Sequence, residues 1–145
     1  MSLSPMQSLN SGGSELGSCR TKPLTILVAD DVEDIRLTCQ MLLEEFGHNV
    51  VCAPNGSEAC RLLREGEFDL VITDVIMPGR DGLELIIQLK REHSPVRILA
   101  MSGGGRYTRG TDCLNLARNL GAHAVVMKPF DVKQLLAGID VALSA

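Results

Sequence analysis

Short apolar runs, separated by longer segments of helical periodicity, constrain the fold of this chain most. Four runs are rich in β-branched residues, and each ends directly before a polar side chain. They cover residues 24–29, 70–73, 96–101 and 124–127, and a shorter fifth run covers 50–53. Continuous apolar runs of this length are typical of parallel strands that are buried on both faces. Strands that alternate with helices predict an α/β domain with helices on both faces of the sheet.

The segments between the runs carry apolar residues at helical spacing. In the first helix, expected at about 33–46, one stripe is formed by Ile35, Cys39, Leu42 and Phe46. Further helices are expected at about 56–65, 83–92 and 111–120. Asn55 and Asp131 stand where they can cap the second and the fifth helix, and Gly47 follows the first helix and is expected to end it.

Length and composition favour one domain with an aliphatic core. The chain has 145 residues, of which 45% are hydrophobic and 3% aromatic. Residues 1–22, rich in Ser and Gly, are expected to form a flexible tail before a domain of residues 23–145. The net charge of −4 argues against direct nucleic-acid binding, which needs clustered positive charge. Because no segment predicts a membrane span or a secretory signal, we expect a cytoplasmic protein with free thiols.

Polar side chains stand at the carboxyl ends of four predicted strands. Asp30 and Asp31 follow the first strand, Asp74 the third, Ser102 the fourth and Lys128 the fifth. The carboxyl ends of parallel strands meet at one rim of the sheet, which is where open α/β sheets bind ligands. Three acids, a hydroxyl and a lysine at that rim predict a site for a divalent cation and a phosphoryl group.

These residues resemble, in order and position, the motifs of response regulator receiver domains. The resemblance covers about residues 23–143 and rests on Asp30-Asp31, the segment 71–78 around Asp74, the segment 81–84, Ser102 and Lys128-Pro129-Phe130. It implies a doubly wound, flavodoxin-like (βα)5 fold with five parallel strands in the order 2-1-3-4-5. It also implies a regulatory module rather than an enzyme. Its expected partners are a histidine kinase or histidine phosphotransfer protein, and a downstream protein or an effector domain outside this sequence.

The resemblance also implies a metal site. Mg²⁺ prefers oxygen ligands, and it is expected to bind the carboxylates of Asp31 and Asp74 directly. Asp30 is expected to act through a water molecule or as a further ligand, and the backbone carbonyl of Ile76 supplies another oxygen. Three carboxylates carry three negative charges, which Mg²⁺ and Lys128 together balance.

The phosphoryl group itself is assigned to Asp74, whose carboxylate can attack phosphorus and form an acyl phosphate. Lys128 is expected to pair with one phosphoryl oxygen, and Ser102 to donate its hydroxyl proton to another. A cis peptide bond before Pro129 is expected to aim Lys128 into the site.

Two features depart from the receiver pattern. Val125 stands three residues before Lys128, where many receivers have a Tyr or Phe whose rotation reports phosphorylation. The segment after Ser102 is longer than usual, and its glycine-rich part, residues 103–110, is expected to respond to phosphorylation.

Two alternatives share part of this pattern. A phosphatase of the haloacid dehalogenase type also forms an aspartyl phosphate, but it needs an Asp-x-Asp motif, whereas Asp30 and Asp31 are adjacent. A receiver that binds partners without being phosphorylated would need no intact site, and the acids, the hydroxyl and the lysine together argue against it.

Overall fold

The computed structural model describes residues 22–75, 77, 82–103 and 110–145. In this part of the chain five strands alternate with five helices. The strands are β1 Thr25–Ala29, β2 Asn49–Ala53, β3 Leu70–Asp74, β4 Arg97–Ser102 and β5 Ala124–Met127. The helices are α1 Glu33–Glu45, α2 Gly56–Glu65, α3 Gly82–Arg91, α4 Gly110–Leu120 and α5 Val132–Ser144. The five strands and the first four helices are present within a residue or two of their predicted bounds, and the fifth helix follows its predicted cap, Asp131.

All strands pair in parallel, in the order β2-β1-β3-β4-β5, which confirms the predicted topology. From β1 the chain adds β2 on one side of the sheet, and it then returns to add β3, β4 and β5 on the other side. The direction of winding therefore changes between the neighbouring strands β1 and β3. In open α/β sheets, the crevice at the carboxyl ends of such strands is where ligands bind. The fold therefore directs attention to the loops after β1 and β3.

The sheet separates two apolar cores, because alternate side chains of each strand point to opposite faces. On β1, Ile26 and Val28 pack in one core, while Leu27 and Ala29 pack in the other. Helices α1 and α5 complete the first core, with buried side chains that include Cys39, Leu43, Leu135 and Ile139. Helices α2, α3 and α4 complete the second core, with buried side chains that include Ala59, Leu85, Ile86 and Ala117. Both faces are covered, which explains why the strands are apolar throughout.

The helix ends follow their predicted caps. The Asn55 side chain accepts a hydrogen bond from the backbone N–H of Glu58, and Asp131 forms a reciprocal capping box with Gln134. Gly47 has φ of +90°, the left-handed conformation that ends a helix without strain on a side chain.

The apolar face of α1 differs from the prediction in one respect. Its fully buried residues are Cys39 and Leu43, four residues apart, whereas Ile35 and Leu42 flank them and are only partly buried. The stripe therefore follows Cys39 and Leu43 rather than running on to Phe46. Among the described residues, no helix has the length and apolar character needed to cross a membrane.

The expected flexible tail of residues 1–22 lies, except for Lys22, outside the described residues.

Candidate functional site

Asp30 and Asp74 are brought together by the register of the two central strands. Because Ala29 pairs with Thr73, the residues that follow each of them leave the sheet side by side. One carboxylate oxygen from each of Asp30, Asp31 and Asp74 lies within 4.8 Å of the other two. The predicted acidic cluster is therefore present at the carboxyl rim of the sheet.

Asp30 is fully buried, with 0% of its surface exposed, and both of its carboxylate oxygens have partners. Oδ1 accepts the backbone N–H of Val32 at 2.9 Å, and Oδ2 accepts the ammonium of Lys128 at 2.8 Å. Its backbone N–H donates to the carbonyl of Ala53 at 3.1 Å. A buried carboxylate needs such partners, because an unpaired charge away from water is very costly. Asp30 therefore holds Lys128 in place, and both of its carboxylate oxygens are already engaged rather than open to a metal ion.

Lys128 lies between two carboxylates. Its Nζ is 2.8 Å from Asp30 Oδ2 and 3.5 Å from Asp74 Oδ2, and 16% of its side chain is exposed. The Lys128–Pro129 peptide bond is cis, as predicted, and the backbone N–H of Lys128 donates to the carbonyl of Ser102 at 2.9 Å. One positive charge therefore faces an acidic cluster that carries three negative charges when ionised.

Several contacts hold the backbone at Asp74. The hydroxyl of the buried Thr73 donates to the Asp74 carbonyl at 2.9 Å, and the next N–H, that of Val75, donates to Met101 on β4 at 3.0 Å. Gly82, the first residue of α3, packs so closely that a Cβ at this position would overlap the Asp74 carbonyl oxygen. Only glycine fits there, so the start of α3 is pressed directly onto the backbone of Asp74. The side chain of Asp74 remains 11% exposed.

Asp31 is the exposed member of the cluster. Within the described residues no hydrogen bond or ion pair holds its carboxylate. The cluster thus has a buried, paired side at Asp30 and an open side at Asp31. Hard oxygen donors with one solvent-facing member are suited to Mg²⁺, which usually keeps several waters.

An apolar cavity of about 380 Å³ adjoins the Lys128 side of the site. It is lined by Ile35, Thr38, Cys39, Gly103, Lys128, Pro129 and Phe130. Burial raises the pKa of the Cys39 thiol to about 11, and the nearby Asp30 carboxylate adds to the rise. Cys39 is therefore neutral at physiological pH, and it places no further negative charge beside the acids.

Ser102, the last residue of β4, is almost fully buried at the same rim. It is paired in register with Met127, the residue before Lys128. The structure therefore places all five predicted side chains at one end of the sheet. The predicted metal ligand Ile76 and the segment 104–109 lie outside the described residues.

Three residues that surround the site were not predicted from the sequence: Thr73, Gly82 and Arg36. Thr73 and Gly82 hold the Asp74 backbone, and Arg36 donates a hydrogen bond to the carbonyl of Asp30 at 2.7 Å. A threonine in a strand and an arginine on a helix are ordinary residues, so their sequence carried no signal. Gly82 lies in the segment 81–84 on which the family resemblance rests, but the sequence alone gave it no contact with Asp74.

Comparison with known proteins places this geometry in one family. Residues 26–140 match the family described as response regulator receiver domain. The chain is 37% identical over 121 residues to the DNA-binding transcriptional regulator NtrC of Azospirillum brasilense, covering 83% of this chain and 24% of that protein. It is 33% identical over 118 residues to the uncharacterized transcriptional regulatory protein YkoG of Bacillus subtilis, covering 81% of this chain and 50% of that protein. The chain thus spans half or less of the length of these curated relatives.

Solved structures give the same result. A response regulator receiver domain protein from Clostridium thermocellum superimposes with a TM-score of 0.74 at 29% identity, and the match covers 83% of this chain and 94% of that one. Receiver domains are regulatory phosphoacceptor modules rather than enzymes in their own right. From the match over residues 26–140, together with the five-stranded fold and its acidic rim, we conclude that this chain belongs to the response regulator receiver domain family of two-component signalling.

Proposed function

We propose that this domain accepts a phosphoryl group on Asp74 and that the resulting acyl phosphate changes its binding to a partner. The observation that carries the proposal is the cluster of Asp30, Asp31 and Asp74, with Lys128 bound between the first and the last. Asp74 is the member of the cluster whose side chain is slightly exposed while its backbone is fixed from three sides. A nucleophile needs this combination of access and rigid support.

In the reaction a carboxylate oxygen of Asp74 attacks the phosphorus atom of a phosphohistidine. The new P–O bond forms as the P–N bond breaks, and the imidazole leaves with the electron pair and takes up a proton. Lys128 is already 3.5 Å from Asp74 Oδ2, so its ammonium can follow the new negative charge with a small movement away from Asp30. Ser102, at the end of the neighbouring strand, is the proposed donor to another phosphoryl oxygen.

Mg²⁺ fits the acidic cluster as the proposed cofactor. Asp31 and Asp74 would hold the ion directly, whereas Asp30 has both oxygens engaged by Val32 and Lys128, which favours the water-mediated role. The backbone carbonyl of Ile76 stays a proposed further ligand. When bound, the ion would neutralise carboxylate charge so that an anionic phosphoryl group can approach.

The proposed phosphodonor is a histidine kinase or a histidine phosphotransfer protein in the cytoplasm. The proposed output is a downstream protein or an effector domain in the same polypeptide, because the curated relatives extend well beyond the matched segment. Direct nucleic-acid contact by residues 23–145 is not part of the proposal, since the chain carries a net charge of −4.

Mass spectrometry after incubation with acetyl phosphate and Mg²⁺ tests the proposal. We expect an adduct of one phosphoryl group on the parent and none on Asp74→Asn, which keeps the shape but lacks the nucleophile. Asp69→Asn is a matched control, because Asp69 directly precedes the amino end of the same strand, away from the acidic cluster. Labelling of Asp74→Asn on Asp30 or Asp31 would overturn the assignment, rapid turnover of the donor would indicate a phosphatase, and no adduct with this donor or a phosphorylated kinase would indicate a receiver without phosphorylation.

A further inference from the structure

Arg36 holds the peptide that joins the first two acids. It lies in the first part of α1, and its Nη1 donates to the backbone carbonyl oxygen of Asp30 at 2.7 Å. That oxygen belongs to the same planar peptide unit as the N–H of Asp31. The guanidinium therefore fixes the orientation of the unit from which the Asp31 backbone starts.

The start of α1 has few other restraints at this point. Its N-cap is Val32, which has no side chain able to bind the helix amide groups, and no side-chain cap hydrogen bond forms. The Asp30 carboxylate accepts the N–H of Val32 and so fixes the turn on its other side. Between these two restraints lies Asp31, whose own carboxylate has no partner among the described residues.

We infer that Arg36 is a positioning residue for the metal site: by binding the carbonyl of Asp30 it holds the Asp31 carboxylate toward the ion. This inference rests on the proposed function, since it concerns the same Mg²⁺ site. Mg²⁺ requires nearly ideal octahedral geometry, whereas Ca²⁺ accepts irregular geometry and more ligands. Loss of the Arg36 hydrogen bond should therefore weaken Mg²⁺ binding more than Ca²⁺ binding.

Charge alone would have the opposite effect. Arg36 carries a positive charge near three carboxylates, so its removal should strengthen the binding of any divalent cation if the guanidinium acted only at long range. A purely structural role in α1 would lower the unfolding midpoint and leave the affinity of the folded protein unchanged. The direction of the change in affinity and the difference between the two ions therefore separate positioning from both alternatives.

The test is isothermal titration calorimetry with Mg²⁺ and with Ca²⁺ at constant ionic strength, on the parent and on Arg36→Gln and Arg36→Lys. Arg64→Gln, on the exposed side of α2, is the control with the same change of charge. We expect Arg36→Gln to lose about tenfold in Mg²⁺ affinity, to lose less for Ca²⁺, and to be partly rescued in Arg36→Lys. Thermal unfolding measured in parallel shows that each variant is folded at the titration temperature.

An unchanged or higher Mg²⁺ affinity in folded Arg36→Gln overturns the inference and leaves the proposed function intact. Equal losses for Mg²⁺ and Ca²⁺ also overturn it, because they indicate no geometric role. If the parent and Asp31→Asn bind Mg²⁺ equally, the proposed metal site itself is wrong, and the inference falls with it.

Discussion

The two ends of the central sheet satisfy their polar groups in opposite ways. At the carboxyl end, Asp30 is fully buried as a charged partner of Lys128, and two further acids lie within reach of it. At the amino end, two uncharged histidine rings accept hydrogen bonds from backbone N–H groups. His48 Nδ1 accepts the N–H of Leu24 at 3.1 Å, and His123 Nδ1 accepts the N–H of Ile98 at 3.0 Å.

The two histidines occupy equivalent places in the fold. Each directly precedes an edge strand, β2 or β5, and the ring of each accepts a backbone N–H at the start of the neighbouring inner strand. The carbonyl of Ile98 accepts the backbone N–H of His123 itself, whereas the carbonyl of Leu24 accepts that of Asn49, the residue after His48. An imidazole accepts at Nδ1 only when that nitrogen carries no proton, so both bonds use a neutral tautomer. The amino end is thus arranged for stability, while the carboxyl end keeps like charges together. Functional sites commonly retain such unfavourable arrangements at some expense of stability.

The largest effect is expected at Gly82, where space at the carboxyl end is tightest. In Gly82→Ala the new Cβ would overlap the Asp74 carbonyl, so we expect a loss of about 3 kcal/mol in the free energy of unfolding. Helix propensity alone predicts the opposite sign. Gly66→Ala is the control, because its Cβ would meet the Phe68 ring at 3.5 Å and the Leu62 carbonyl oxygen at 3.8 Å, both ordinary contacts, and its φ is −139°. Urea unfolding measures both, and equal stability of the two variants would contradict the close contact.

The next effect tests whether the buried pair at the carboxyl end depends on both partners. Lys128→Met leaves the Asp30 carboxylate buried without its ammonium partner, and we expect a loss of about 2 kcal/mol in the free energy of unfolding. This loss is smaller than for a fully buried pair, because the Lys128 side chain is partly exposed to solvent. Asp30→Asn in the same chain should recover most of it. A double variant no more stable than Lys128→Met alone would mean that the pair is not what the substitution disrupts.

Asp31 should show the conflict between stability and metal binding directly. Without metal, Asp31→Asn removes repulsion among three carboxylates and should stabilise the fold by about 1 kcal/mol. The same change should lower Mg²⁺ affinity, and by more than Asp30→Asn does. Asp34→Asn is the control, since Asp34 lies in the first turn of α1, where its negative charge interacts favourably with the helix dipole. Loss of the Asp34 charge should therefore destabilise the fold slightly. A change of stability with the same sign in Asp31→Asn and Asp34→Asn would rule out repulsion within the cluster.

The smallest effect is expected at the amino end, as a pH dependence. Burial lowers the pKa of His123 from its ordinary 6.5, and the positive charges of Lys90 and Arg97 lower it further. The unfolded chain therefore binds the proton more readily than the folded chain. The stabilisation is complete above about pH 6.5 and is lost as the pH falls through the lower pKa of the folded protein.

His123→Asn isolates this contribution, because its amide oxygen can accept the Ile98 N–H but cannot titrate. Chemical unfolding between pH 7.5 and about 5 should show a shallower fall in stability for the variant than for the parent. Identical slopes would mean that the His123 ring does not contribute to the pH dependence.

Much of this fold follows from local patterns. The bounds of the strands and most helices were predicted within two residues, because apolar runs and cap residues such as Asn55 and Asp131 act over a few positions. The strand order and the cis bond at Pro129 were predicted only through the family resemblance, and both are confirmed. The α1 face was slightly wrong, since Cys39 and Leu43 and not Phe46 define it; the periodicity fits either choice, and only packing against the sheet decides between them.

The sequence by itself determined that five strands alternate with five helices and that acids, a hydroxyl and a lysine follow the strands. Those features depend on side-chain type and short spacing, which are local. Only the tertiary structure decided that Lys128 pairs most closely with Asp30, that Gly82 presses on Asp74, and that Arg36 holds the Asp30–Asp31 peptide. Each of these is a contact of a few ångströms between positions that the register of β1, β3 and β5 or the start of a helix brings together. No pattern of neighbours along the chain encodes such distances.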